Sequence, residues 1–428
     1  MLDLLIKNAR TPDSNIPLSF ACRDGKIVGV GPVINTDAAE VLDASGRMIT
    51  SPMIDCHFHM DATLSYGLPR VNKSGTLLEG IGLWGELKPL LTYEALKERA
   101  HELIRWSIAK GTLAIRTHVD ICDPALLAVD ALLDVRKEMA DYIDIQLVAF
   151  PQDGFYRDPG AAENLKRALD KGVDVVGGIP HFERTMADGA ASVKVLCEIA
   201  EKRGLLVDMH CDETDDPMSR HIESLAFETQ RLGLNGRVAG SHLTSMHSMD
   251  NYYVSKLLPL IHEAEIHAIA NPLINITLQG RHDTYPKRRG QTRVKEMAEM
   301  GINVAFGHDC VMDPWYSFGS HDMLEVAQMG LHVGQMTSQD QIRTCFDAVT
   351  TNAAKAMHLE NYGLEEGCNA DFVLLQANSV FDAIRIRPPR LAVIRRGEVI
   401  ARTPEVVSSV TLGEETTPVT FELNRDLL

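Results

Sequence analysis

The feature that most constrains the fold is an alternation that fills the middle of the chain. Short apolar runs rich in Val, Ile and Leu occupy residues 53–57, 113–119, 145–150, 173–179, 205–209, 238–241, 266–270 and 302–307. Between them lie stretches with apolar residues at three- and four-residue spacing, clearest at 93–110, 124–140, 190–203 and 320–336. Short apolar runs suit strands buried on both faces, and the longer period suits amphipathic helices. Eight strands alternating with helices predict an α/β fold, a parallel (β/α)8 barrel of the TIM type. Active-site residues then sit at the C-terminal ends of the strands.

The two ends of the chain have a different character. Leu4-Leu5-Ile6, Leu18-Ser-Phe20 and the segment 26–30, after an Asp24-Gly25 turn, read as short strands. The segments 371–375, 391–394 and 399–400, with a turn at Arg396-Gly397, read the same way. The expected organisation is a barrel over 51–364 and a small β-sandwich domain assembled from 1–50 and 365–428.

Bulk composition narrows the function classes. A formal charge of −17 argues against nucleic acid or an anionic membrane as a standing partner. The eight cysteines contain no C-x-x-C pair, so no thiolate zinc site or redox motif is expected. The segment Met1-Leu-Asp-Leu-Leu-Ile-Lys7 lacks the features of a signal peptide, and no apolar run has the length of a membrane span. The expected setting is the cytoplasm, and the expected assembly a homo-oligomer.

The strand ends carry the chemistry. In order they offer His57 and His59, His118 and Asp120, Gln152, His181, His210 and Glu213, His242, Asn271, and Asp309. Helix capping accounts for Asp and Asn at such places but does not call for histidine. His57 and His59 are two apart in a strand and project to one face. With His210 and Asp309 they form a candidate ligand set for one divalent ion, zinc or iron. An ion of that kind lowers the pKa of a water it holds. Glu213, three residues past His210, is a candidate proton carrier, and His242 a candidate acceptor of the water's proton. His118 and His181 are expected as pocket lining or as supports of the ligands.

The chain also resembles a known family. His-x-His on the first strand, His on the fifth and sixth and Asp on the eighth follow the pattern of the amidohydrolase superfamily. So do Gly363-Leu-Glu-Glu-Gly367-Cys-Asn-Ala-Asp371-Phe-Val and Val393-Ile-Arg-Arg-Gly397-Glu-Val399 near the end of the chain. More narrowly, the sequence is similar to the bacterial cytosine deaminases in Ser74-Gly-Thr-Leu-Leu-Glu-Gly80, Arg116-Thr-His-Val-Asp120, Val148-Ala-Phe-Pro-Gln152 and Val175-Val-Gly-Gly-Ile-Pro-His-Phe-Glu183. Further stretches are His210-Cys-Asp-Glu213, Asn271-Pro-Leu-Ile-Asn275, Leu278-Gln-Gly-Arg281, Asp283-Thr-Tyr-Pro-Lys-Arg-Arg-Gly290 and Asp313-Pro-Trp-Tyr316.

The resemblance implies metal ligands His57, His59, His210 and Asp309, Glu213 as proton shuttle and His242 as the residue that orients or deprotonates water. It implies that Gln152 reads the O2 and N1 edge of a pyrimidine, that Leu77 contributes backbone contacts and that Trp315 walls the ring. One position departs: the family carries a second Asp directly after the metal-binding Asp, and here that residue is Cys310. Cys is smaller and less polar than Asp, so the expected substrate is 5-methylcytosine, with cytosine slower and 5-fluorocytosine accepted, in a salvage role. The alternatives are an ordinary cytosine deaminase, a deaminase of another heterocycle such as isoguanine or an aminotriazine, a cyclic-amide hydrolase and a non-catalytic scaffold. The scaffold is disfavoured by the complete ligand set. The cyclic-amide hydrolase is disfavoured because Gly177-Gly-Ile-Pro-His181, at the end of the fourth strand, lacks the Lys that bridges two metals.

Overall fold

All eight expected strands form, and they make one parallel sheet. In this computed structural model, which describes residues 1–421, they are Met53–Phe58, Thr112–Asp120, Asp144–Phe150, Val175–Gly178, Leu206–Cys211, Val238–His242, His267–Ala270 and Val304–Phe306. Each pairs in parallel with the next in chain order. The first and eighth meet at the Phe58–Asp309 bridge, with Asp309 N–H donating to His57 O at 2.8 Å and His59 N–H to Asp309 O at 2.9 Å. The sheet is therefore a barrel. Its strands are buried on both faces almost throughout, which is why they read as apolar runs rather than as an alternation.

Helices Tyr93–Ala109, Leu127–Glu138, Met186–Arg203 and Met323–Gly334 occupy the expected helical stretches. Their ends follow sequence chemistry. Thr185 accepts the Asp188 N–H at the start of Met186–Arg203, and Gly204 at φ 69° ends that helix. One further helix, Leu77–Leu87, lies between the first strand and Tyr93–Ala109; the Thr76 hydroxyl oxygen accepts from Glu79 N–H at its start.

The chain divides into two units. One holds Met53–Ile108 and Thr112–Glu360; the other holds Met1–Pro52, Ala109–Gly111 and Asn361–Leu428. Residues 422–428, which the sequence assigns to the terminal β domain, lie outside the described residues. The second unit contains two four-stranded sheets. Lys26–Gly31, Ser14–Arg23, Leu2–Thr11 and Ala38–Asp43 make one; Glu398–Arg402, Arg390–Arg395, Phe372–Leu375 and Ile49–Thr50 make the other. Leu4, Ile6, Phe20 and Ile27 of the first share a core with Phe372, Leu374 and Ile394 of the second. Phe20 and Phe372 meet edge to face at 5.5 Å between centroids, an arrangement aromatic pairs favour. A hairpin, Ser408–Leu412 with Glu415–Val419, completes this unit.

Among the described residues no helix is long and apolar enough to cross a membrane.

Candidate active site

The first strand ends in a buried polar lattice. Asp55 accepts the backbone N–H groups of His57 and His308, each at 3.1 Å, and pairs through its other oxygen with His321 Nε2 at 2.9 Å. A buried carboxylate needs such partners. Here they lock the end of the first strand to the end of the eighth. Gly307 completes the fit: a Cβ there would stand 2.6 Å from that of His57 and 2.5 Å from Asn271 Oδ1, so only glycine leaves room for both.

Ring nitrogens converge above this lattice. His59 Nε2 and His210 Nε2 are 2.9 Å apart, and Asp309 Oδ1 lies 3.3 Å from His57 Nε2 and 3.4 Å from His59 Nε2. Two overlapping groups, His57–His59–His118–His210 and His57–His210–His242–Asp309, each keep their ligand atoms within 4.8 Å of one another. Both nitrogens of His57, Nδ1 of His210 and Oδ1 of Asp309 are buried without a hydrogen-bond partner. Buried polar atoms are normally paired, so lone pairs gathered about one point fit a cation. Burial, reinforced by the neighbouring imidazoles, holds His57, His59 and His210 well below the usual histidine range. The neutral imidazole is the form that ligates a metal. The buried His/Asp cluster could therefore hold a divalent ion.

The structure brings together all four residues expected as ligands and adds His118. Its ring centroid lies 4.2 Å from that of His57, and its Nε2 is 3.6 Å from Asp208 Oδ1. Asp208 also accepts from Ser241 Oγ at 2.6 Å and pairs with the buried Arg116 at 3.0 Å. Phe150 stacks on His210, centroids 4.1 Å apart with 18° between the planes. His181 sits behind the site, its Nδ1 3.1 Å from the His210 carbonyl oxygen. Burial pushes it down to about 4.

A second group faces the first. Glu213 Oε1 lies 3.4 Å from His242 Nδ1, and the Asn275 Nδ2 amide donates toward the same nitrogen at 3.0 Å. Asn271 Nδ2 is 3.3 Å from the ring. Burial raises the Glu213 carboxyl to about 8. The Asp309 carboxyl is also held well above its usual range, by burial and by the charge of Glu213. His242 and Asp309 both adopt left-handed backbone, φ 70° and 69°. For residues with a Cβ that geometry costs about 1–3 kcal/mol and clusters at functional sites.

These groups open into one cavity. Gln152, Glu213, His59, His210 and Asp309 supply its polar wall; Leu77, Ile81, Ile179, Ile274, Leu278, Cys310 and Trp315 supply the rest. An apolar slot with a few convergent polar groups is the usual form of a small-molecule site. Leu77, Gln152, Cys310 and Trp315, expected from the sequence resemblance alone, all line it. Cys310 is a neutral thiol, pushed well above the usual range by burial and by Asp309. The sequence reading gave no role to Asn275 or Ile81. Asn275 stands one helical turn after Asn271 and closes the stretch Asn271-Pro-Leu-Ile-Asn275 that the resemblance singled out, but no role was read from it.

Residues 40–410 match the amidohydrolase family. The chain is similar to a 5-methylcytosine deaminase from Klebsiella pneumoniae, solved liganded with phosphonocytosine. That likeness has 42% identity and a TM-score of 0.92, and covers 94% of this chain and 99% of that one. The same Klebsiella protein liganded with 5-fluorocytosine gives 43% identity and a TM-score of 0.91 over 94% and 98% of the two chains. The N-isopropylammelide isopropyl amidohydrolase of Pseudomonas sp. (strain ADP) is 26% identical over 95% of this chain and 99% of its own length.

Proposed function

The chain belongs to the amidohydrolase family and is an enzyme that hydrolyses carbon–nitrogen bonds, and on that premise we propose that it deaminates a free aminopyrimidine base. The base is 5-methylcytosine, converted to thymine and ammonia. Cytosine is converted to uracil more slowly, and 5-fluorocytosine is accepted. The observation that carries this choice is Cys310, a buried neutral thiol that lines the cavity with Asp309. Likeness to the Klebsiella deaminase supports it.

His57, His59, His210 and Asp309 would hold one zinc or iron ion per chain. When bound, the ion supplies the acidity that makes water a nucleophile near neutral pH. Gln152 reads the flat edge of the base: its amide N–H donates to O2 and its carbonyl oxygen accepts from N1–H. Trp315 walls the ring, and Leu77 contributes backbone contacts. His242 and Asp309 take the water's proton as its oxygen adds to C4. Glu213, held protonated by burial, gives its proton to N3, then takes the remaining hydroxyl proton of the adduct and delivers it to the departing nitrogen; the proton taken by His242 and Asp309 finally returns to Glu213. The C4–N bond then breaks, ammonia leaves, and the carbonyl of thymine remains.

A C5 methyl needs an apolar neighbour, because contact with it strips solvent from an ionised carboxylate. One methyl-sized group in an apolar pocket is worth about 10–200-fold in discrimination. The test compares kcat/KM for 5-methylcytosine and cytosine in the wild type and in Cys310→Asp. Preference for the methylated base is expected in the wild type, and its loss in the variant. A wild type that prefers cytosine, or a ratio that Asp leaves unmoved, removes Cys310 as the selector. The likeness to the isopropyl amidohydrolase supports a second reading, release of an amine from another amino-heterocycle. A panel of such bases, scored for ammonia and alkylamine, separates the two.

A further inference from the structure

Helix Leu77–Leu87, with the sequence LLEGIGLWGEL, carries Gly80, Gly82 and Gly85. Glycine is among the poorest helix formers, so each needs a reason. A Cβ at Gly82 or Gly85 would meet nothing within 4 Å. Gly80 is the opposite case. A Cβ there would stand 2.2 Å from Trp315 Cδ1, 2.6 Å from Nε1 and 2.8 Å from Cγ. Non-bonded carbons rest near 3.5–4.0 Å. The indole therefore lies directly on the helix backbone, in space that any side chain at position 80 would take.

Neither partner is free to retreat. The helix is held by Trp84, buried one turn after Gly80 on the same face with its ring centroid 6.0 Å from that of Trp315, and its indole N–H donates to Asp120 Oδ2 at 2.7 Å. Just past its end, Lys88 Nζ reaches Asp120 at 2.8 Å and Asp153 at 2.7 Å. The segment bearing Trp315 is held by Asp313, which accepts the Trp315 N–H at 2.9 Å, and by Asn72, whose amide donates to the Pro314 carbonyl at 3.1 Å. With the helix and Trp84 on one side, the ring lines the cavity on the other, where the His59 imidazole stands 6.1 Å away between centroids.

We infer that Gly80 is a positioning residue for the base site: by having no side chain it fixes how far the Trp315 ring stands back, and so sets the clearance left for a flat, single-ring base. This rests on reading the cavity as the base-binding site. Gly80 touches no reacting atom and acts through Trp315, as a positioning residue.

The experiment compares Gly80→Ala, Gly82→Ala, Trp315→Leu and the double variant Gly80→Ala/Trp315→Leu. Displacing a positioning wall by about 1 Å can cost on the order of 10²-fold in rate. Gly80→Ala should lose about that much in kcat/KM with both 5-methylcytosine and cytosine, chiefly through KM, at unchanged metal content. Gly82→Ala, which makes the same helix-favouring change in open space, should keep wild-type kinetics. In the Trp315→Leu background, adding Gly80→Ala should cost less than threefold, because the clash is gone. Acrylamide quenching of the emission attributable to Trp315, taken as the difference from Trp315→Leu, should change in Gly80→Ala and not in Gly82→Ala. If Gly80→Ala is insoluble while the double variant folds, the clash with Trp315 is confirmed. Wild-type KM in Gly80→Ala, or an equal loss with and without Trp315, overturns the inference. If the wild type turns over neither base, the proposed function fails, and the quenching comparison still decides whether Gly80 sets the ring's position.

Discussion

Glu213, which lines the cavity, and the buried His242 stand with Oε1 and Nδ1 3.4 Å apart, although one follows the fifth strand and the other ends the sixth. The pairing of those strands, with Cys211 opposite His242, brings the two together. Burial acts on them in opposite directions: it raises the carboxyl and lowers the imidazole, so both are driven toward neutral forms. A neutral carboxylic acid can give a proton and a neutral imidazole can take one. Two groups pushed apart in this way supply an acid and a base at the same pH.

Glu213→Gln keeps the size of the side chain and removes its proton. A single general acid–base group is typically worth about 10²–10⁴-fold in rate. Glu213 is assigned two transfers, so the expected loss in kcat is at or beyond the upper end, with metal content unchanged. Near-normal turnover in this variant would place the proton carrier elsewhere.

Metal removal is the next test. With His57, His59, His210 and Asp309 as ligands, elemental analysis should give one divalent ion per chain. Complete chelation should abolish deamination, and zinc or ferrous iron should restore it. The four orphaned or closely opposed ligand atoms motivate this expectation. Two ions per chain, or full activity after chelation, would contradict it.

The barrel was legible because its strands are buried on both faces and so stand out as apolar runs. The residues that gather in the buried His/Asp cluster stood out because histidine at a strand end has no capping role to explain it. Other elements left weaker traces. Strand Ala38–Asp43 is mostly exposed, and the hairpin Ser408–Leu412/Glu415–Val419 almost wholly so, and neither shows a buried face in its sequence. Helix Leu77–Leu87 is masked by its three glycines, which argue against a helix until Trp315 is seen lying on one of them. The support that Asn275, in the helix after the seventh strand, gives His242, at the end of the sixth, is a contact between distant parts of the chain, and the stretch Asn271-Pro-Leu-Ile-Asn275 does not by itself name that partner.

The last prediction concerns stability away from the cavity. His267 opens the seventh strand and is buried. Its Nε2–H donates to the Gly236 carbonyl oxygen at 2.9 Å, and its Nδ1 accepts from Asn303 Nδ2 at 3.0 Å. Both nitrogens are thus satisfied by the neutral ring, and a proton on Nδ1 would face an amide donor. Burial pushes the group down to about 4, against about 6.5 for an unfolded histidine. Between those two values the unfolded chain binds the proton and the folded chain does not, so acid favours unfolding. The stabilisation is fully present above about pH 6.5 and is lost as pH falls toward 4. The shift corresponds to about 3 kcal/mol. His267→Gln has no proton to gain in this range. Between pH 7 and pH 4 the wild type should lose about 3 kcal/mol more stability than the variant, read from urea midpoints at matched slope. Parallel loss in the two proteins would show that His267 titrates alike in the folded and unfolded chains.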